Sequence, residues 1–194
     1  MMHNLMRDLE AKLLSEVCKD VVIEPTLLPL TGEGFGHRTA NISNEARLDI
    51  SARGVWTLMD KTYFDIRIFH LGADSNKAPD NKMAYKKHEN EKKRAYNDRV
   101  LEVEKGTFTP LVFSTSGGMG EEATAFNKRL ASLLSEKKGN SYSDTISFIR
   151  RRLRFCILKT TLVALRGYRG RKQTDTLPIE GMDFNQIPHE NPFL

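Results

Sequence analysis

The sequence predicts an α/β fold in which a mixed sheet is flanked by helices. Three observations carry this reading. TYFDIRIF, residues 62–69, alternates with the period of two that a strand imposes. Phe64, Ile66 and Ile68 fall on one face, and Asp65, Arg67 and Phe69 on the other. Residues 2–17 carry Leu5, Leu9, Leu13 and Val17 at the four-residue spacing of an amphipathic helix, with Met6 beside them. TPLVFSTSGGMG, residues 109–120, passes from an apolar run into a small-residue turn and then into a helical pattern, as a strand hands over to a helix. A length of 194 residues with 39% hydrophobic content suits one compact domain.

The elements follow in order. After the first helix, VVIE at 21–24 is a short strand ended by Pro25. Residues 26–44 are rich in Gly, Pro, Ser, Thr and Asn and read as a connection. Residues 46–55 and 62–69 are β-like, and the link at 57–61 is short enough to make them antiparallel neighbours. Residues 78–100 are highly charged, with no glycine or proline after Pro79, and read as a helix. Met83, Lys87, Asn90 and Arg94 lie near one line of it; Ala84, His88, Glu91 and Ala95 lie near another. The next strand is supplied by 101–103 or by 111–114. A helix over 121–136 turns Phe126, Leu130, Leu133 and Leu134 inward, and Gly139–Asn140 breaks it. A last helix over 146–166 has Ile149, Leu153, Cys156 and Ile157 on its apolar side. The expected organisation is a domain over 1–137 that includes the N-terminal helix, a basic helical extension over 138–170, and a tail over 171–194.

Charge points to the class of partner. The chain holds 30 Lys plus Arg against 25 Asp plus Glu, a net +5 that is unevenly spread. Between Lys128 and Lys172 there are 13 basic residues and two acidic ones, Glu136 and Asp144. A field of one sign attracts an anionic polymer or surface. Arg150, Arg151, Arg152 and Arg154 crowd one helix and cannot all turn inward cheaply, so they form either a phosphate-contacting face or a solvated one. Ile149, Leu153 and Ile157 on the same helix leave a membrane-surface role open. The two cysteines, Cys18 and Cys156, form no zinc spacing or disulfide framework, which favours a reducing, intracellular setting. The apolar stretch 155–165 is interrupted by Lys159 and too short to span a bilayer, so no integral membrane association is expected.

Two aspartates stand inside the β-like segments, in RLDI at 47–50 and FDIRIF at 64–69. Aspartate is a poor strand residue and is costly when buried without a partner. If the strands are neighbours, Asp49 approaches Asp65, and a divalent cation between them removes their repulsion. Arg67, on the face of Asp65, is placed to neutralise an oxyanion but not to act as a base. Such a site suits metal-assisted phosphodiester hydrolysis. The alternative is ordinary pairing: Asp49 with Arg47 or Arg53, and Asp65 with Arg67. Glu45, four residues before Asp49, is either a further metal oxygen or an exposed residue at the strand start.

RLDI and FDIRIF resemble the motifs of the restriction-endonuclease-like, or PD-(D/E)xK, nuclease superfamily. In that family an aspartate flanks a β-hairpin, and an acidic-x-lysine triplet lies on the next strand. The stretch NKMAYKKHENEKKRAYNDRV, 81–100, is similar to the alanine-, lysine- and tyrosine-rich helix in the endonuclease domain of some non-LTR retrotransposons and of reverse-transcriptase-associated invertebrate proteins. The resemblance covers roughly 44–120. It implies a restriction-endonuclease-like mixed sheet flanked by helices, here with additional C-terminal helices. It also implies magnesium as cofactor, with manganese as the alternative ion, and Asp49, Asp65 and Arg67 as the matching catalytic positions. The chain departs from the pattern twice. Leu48 stands where proline usually precedes the aspartate, and Arg67 stands where the triplet has lysine. Lys86, Lys87 or Lys92 in the following helix can take over the lysine role.

Other features are weaker. His37, His70 and His88 have no metal spacing, although His70 follows the acidic strand. STSGGMG, 114–120, lacks the Lys-Ser/Thr that completes a Walker loop; its glycines suit a tight turn, and the helix start after it offers N–H groups to a phosphate. Trp56, Tyr63 and Phe69 are placed for packing or for stacking on bases. The expected function is a magnesium-dependent DNA endonuclease of mobile-element origin, acting in the nucleus if its substrate is genomic DNA. The alternatives are an inactive nucleic-acid-binding or assembly module that keeps the nuclease fold and contacts another mobile-element protein, and a protein-interaction domain.

Overall fold

The computed structural model describes residues 2–28, 46–73 and 80–166. The expected tail at 171–194, His37, Glu45 and most of the connection at 26–44 lie outside the described residues. Among the described residues the elements run α1 Met2–Ser15, β1 Lys19–Ile23, β2 Ile50–Arg53, β3 Lys61–Phe69, α2 Asn81–Glu102, β4 Thr107–Ser114, α3 Glu121–Lys138 and α4 Tyr142–Arg166. The strands form one four-stranded sheet in the order β1-β2-β3-β4. β1, β2 and β3 are antiparallel neighbours, and β4 lies parallel to β3. A parallel neighbour needs a long crossover, which α2 supplies. The mixed α/β class with C-terminal helices is therefore as the sequence predicts.

The alternation of β3 sorts the helices into two layers. Phe64 and Ile66 join Leu111 and Phe113 of β4 in the main core, which α1, α3 and α4 cover with Met6, Leu14, Phe126, Leu130, Ile149 and Leu153. Each such buried side chain contributes about 1.5–3 kcal/mol. On the other face, Tyr63, Phe69, Phe108 and Val112 pack against α2 through Ala84 and Val100. Ile149, Leu153 and Ile157 tie α4 into the main core.

Several expected boundaries shift, each for a local reason. The strand expected over 46–55 is regular only at Ile50–Arg53. It leaves the β3 ladder before Ile50, and Gly54, at φ 95°, turns it at the other end. The alternative strand at 101–103 is the end of α2, and β4 supplies the next strand. Helix α4 begins four residues before the expected Ile146. In α1, Leu5 is exposed and Met6 is buried, so the inward stripe runs through Met6, Glu10 and Leu13. In α2, the line that meets the sheet steps by four through Ala84, His88, Lys92, Tyr96 and Val100. It does not pass through Ala95, which is exposed.

Two features of this packing set stability. A side chain at Gly106 would bring a Cβ to 2.5 Å from the Lys61 carbonyl oxygen, where β3 meets the approach to β4. Gly106→Ala is expected to cost about 1–3 kcal/mol, read from the midpoint of urea unfolding. Glu10 is fully buried in the α1 face, and among the described residues neither carboxyl oxygen has a hydrogen-bond partner. Burial pushes its carboxyl from 4.5 up to about 8. Between those values the folded protein holds a proton that the unfolded chain has lost, so stability falls as pH rises across that window. The slope is at most about 1.4 kcal/mol per pH unit. Urea unfolding at pH 5, 6, 7 and 8 is expected to show the decline, and Glu10→Gln to flatten it.

Candidate active site

The site begins where β2 parts from β3. Ile50 and Phe64 are the last paired positions, and one residue earlier the Asp49 N–H still donates to the Phe64 carbonyl, at 3.0 Å. On its other side the main chain stays bonded to the end of β1 and the residues after it: Glu24 donates to the Asp49 carbonyl at 2.9 Å, and Leu48 to the Pro25 carbonyl at 3.3 Å. The end of the β3 pairing leaves the backbone of Ile66 without a β2 partner. Side chains take that place. The Asp49 carboxylate accepts the Ile66 N–H through Oδ2 at 2.5 Å. His3, at the start of α1, places Nε2 3.0 Å from the same Oδ2 and 3.0 Å from the Ile66 carbonyl oxygen. The Asp49 hydrogen bond holds the His3 imidazolium above its ordinary range, against the opposing pull of burial. Leu48, which stands where the family motif has proline, is buried among Leu27, Tyr63, Val100 and Phe108.

Asp65 enters the site from the α2 face of β3 and is only 7% exposed. The Lys92 ammonium lies 2.6 Å from its Oδ2. At this distance the ion pair is charge-assisted, and Lys92 is the counter-ion of the buried carboxylate. Burial raises the Asp65 carboxyl above the usual aspartate range; Lys92 pulls it down and the Asp49 charge pushes it up again. The Asp49 charge is thus felt at Asp65. Tyr96, one turn beyond Lys92, has its ring 5.7 Å from the ammonium, and its hydroxyl is raised first by burial and then by Asp65 and Asp49.

The predicted residues divide. Lys92 meets Asp65, and the Asp49 charge acts on the Asp65 carboxyl. Arg67 shares the strand face of Asp65, but its guanidinium donates to Glu91 at 2.7 Å. Lys86 and Lys87 are exposed on α2, away from the carboxylates, and border the outer side of that helix with Asn90 and Arg94. The simple pairings do not form either: Arg53 meets Asp20, and Arg47 faces Glu24. Arg150, Arg151 and Arg154 are exposed on α4, and Arg152 lies over the Phe148 ring at 5.5 Å. Since α4 belongs to the opposite layer from α2, this patch does not join Lys92 beside the carboxylates. A second group of lysines lies on the α2 side. Lys82, Lys86 and Lys128 border a groove of about 500 Å³ between α2 and α3. His70 is exposed and accepts the Gly72 N–H in its own turn, and His88 packs on Phe69. Tyr63 and Phe69 are buried, and Trp56 donates to Thr109. The α3 N-terminus expected to face a phosphate is already held by Glu89, whose carboxylate accepts the Glu122 N–H at 3.0 Å.

His3 is the participant that sequence reading missed, because 46 residues separate it from Asp49 and no local pattern marks it. Among the described residues, no group of three or more His, Cys, Asp or Glu side chains is placed to hold a metal. A cation here would draw instead on two carboxylates and the Ile66 carbonyl. Carboxylate and carbonyl oxygens are the donors such an ion takes. No protein-family model matches the chain, and no curated protein matches it in sequence.

The Asp65–Lys92 pair has a direct thermodynamic signature. Lys92→Met is expected to destabilise the fold by about 1–3 kcal/mol by leaving a buried carboxylate unpaired. Adding Asp65→Asn to that variant is expected to recover most of the loss. Urea midpoints of the two single variants and the double variant measure the coupling.

Proposed function

We propose that this protein is a metal-dependent endonuclease acting on DNA, with its reaction centre at Asp49, Asp65 and Lys92. The observation that carries the reading is the Lys92 ammonium on the Asp65 carboxylate, with the Asp49 charge felt at that carboxyl. This supplies two acids and a lysine although the strand position expected for lysine holds Arg67. Asp49, Asp65 and the Ile66 carbonyl would hold magnesium, or manganese as the alternative ion. Such an ion lowers the pKa of bound water and polarises a phosphate oxygen.

The rest of the chemistry belongs to the chain. Lys92 offers its protons to a water or a phosphate oxygen at the rim of the pair, a role open to a lysine because its ammonium is a compact donor. Arg67, two residues along the same strand face, is available to a phosphate once Glu91 releases it. Lys82, Lys86 and Lys128 would contact the DNA backbone beside α2, and Arg150, Arg151, Arg152 and Arg154 would contact it on the far layer. Neutralising phosphates in this way makes binding fall with salt. The basic field and the resemblance of the acidic strands to a mobile-element nuclease favour DNA over other phosphodiesters.

A second reading has its own observation. Arg67 is paired with Glu91, and Lys92 already neutralises Asp65, so the same scaffold serves as a nucleic-acid-binding or assembly module without hydrolysis.

Cleavage of single-stranded, duplex and branched DNA with magnesium or manganese separates the readings. Metal-dependent cleavage is expected, with Asp65→Asn and Lys92→Ala each reducing it at least about 100-fold. Arg67→Ala is expected to reduce it less than Lys92→Ala. Salt-sensitive DNA binding by folded protein with no cleavage of any substrate would establish the binding module instead.

A further inference from the structure

We propose that the outward face of α4 is a docking surface for a membrane leaflet that carries anionic phospholipids. The inference goes beyond the nuclease reading and does not depend on it.

Helix α4 carries two apolar stripes, and the fold uses one of them. Ile149, Leu153 and Ile157, whose sequence pattern left a membrane-surface role open, are buried in the main core. A second stripe lies on the other side of the helix. Phe155, Leu158 and Leu162 follow one another at spacings of three and four, which sets them along one line. They are 69%, 53% and 44% exposed. Large apolar side chains exposed singly are ordinary, but a contiguous row of them marks a contact surface. Arg151 continues the line one turn earlier, so the row from 151 to 162 is about 16 Å long.

Cations border this row on both sides. Arg154 lies to one side of the Phe155 line, and Arg152 and Lys159 lie to the other. Asp144, in the first turn, is the only acidic residue of α4. The outward face is therefore apolar along its middle and of one sign along its flanks.

An anionic bilayer surface complements both parts of that face. Phenylalanine and leucine enter the boundary between headgroups and acyl chains. Arginine and lysine lay their stems along the same boundary and extend their charges to the lipid phosphates. A guanidinium pairs with a phosphate through two N–H groups at once, which suits the arginine-rich flanks. Because Ile149, Leu153 and Ile157 stay in the core, α4 lies along the leaflet with its outer side alone in contact. DNA complements the arginines but not the stripe, since a phosphate backbone offers no apolar surface to Phe155, Leu158 and Leu162. A second copy of the chain fits worse, because two such faces would set arginine against arginine.

The test uses the full chain in co-sedimentation with vesicles of phosphatidylcholine alone, and of phosphatidylcholine and phosphatidylserine in equal parts. The unmodified protein is expected to sediment with the mixed vesicles, to stay in solution with phosphatidylcholine alone, and to be released as salt rises. The double variant Phe155→Gln, Leu158→Gln is expected to bind the mixed vesicles about tenfold or more weakly, with its affinity for DNA unchanged. Both positions are exposed and glutamine is a good helix former, and circular dichroism and the thermal midpoint check that the variant folds. Absence of binding to the mixed vesicles by the folded, unmodified protein overturns the inference. Vesicle binding that is unchanged in the double variant also overturns it, by reducing the contact to charge alone. A double variant that loses DNA affinity as well assigns the stripe to DNA and overturns it. A dimer of the unmodified protein that the double variant dissociates assigns the stripe to a second copy, with the same result. Failure to cleave DNA bears on the nuclease reading alone.

Discussion

The parting of β2 from β3 at Asp49 is the constraint on which the site depends. A continued ladder would occupy the Ile66 backbone with another strand. Residues 48 and 49 keep their bonds to Glu24 and Pro25 but leave β3, and the Asp49 carboxylate takes up the Ile66 N–H from the side. One short aspartate thus replaces a strand partner and keeps an acidic oxygen at the edge of the sheet. Leu48 makes the divergence stable by burying its side chain in the cluster of Leu27, Tyr63, Val100 and Phe108. The site is made by a local defect in the sheet whose backbone groups are nevertheless satisfied.

Asp65 poses the opposite problem, because it sits inside a regular strand under a helix. Burial there disfavours a carboxylate, and the helix answers with an ammonium. Lys92 lies on the line of α2 that carries Ala84, His88, Tyr96 and Val100 to the sheet. A lysine on a buried line is normally a fault; here it is the counter-ion that lets α2 cover the acidic strand. The parallel β3–β4 pairing fixes this, since the crossover must return over the same sheet face. Covering the sheet and neutralising the site are therefore tasks of one helix.

Much of this was legible in the residues. The period of two in TYFDIRIF placed Asp65 and Arg67 on one face, as the strand has them. The antiparallel pairing of the two acidic segments followed from the short link between them. Lys92 stood among the three lysines of the helix, but which one reaches Asp65 depends on how α2 is rotated, and its line drifts by four-residue steps that pick Lys92 over Lys86 and Lys87. The end of β2 was hidden, because the place where it stops pairing with β3 is set by tertiary packing. His3 was hidden for the same reason: an imidazole near one end of the chain meets a strand far along it. Arg150, Arg151 and Arg154 of α4 are exposed, yet their place in the opposite layer follows only from the assembled fold.

The capping of α3 has a wider consequence. Glu89 reaches across from α2 to hold the first turn of α3, and a Cβ on Gly120 would lie 2.1 Å from its Oε1. The two positions therefore behave as one genetic unit. A side chain at 120 is compatible with this architecture only if residue 89 shortens or turns away, and the helix start then needs another acceptor. Among natural variants of this chain, positions 89 and 120 should change in step, and the joint between α2 and α3 should drift more slowly than the charged surface around it.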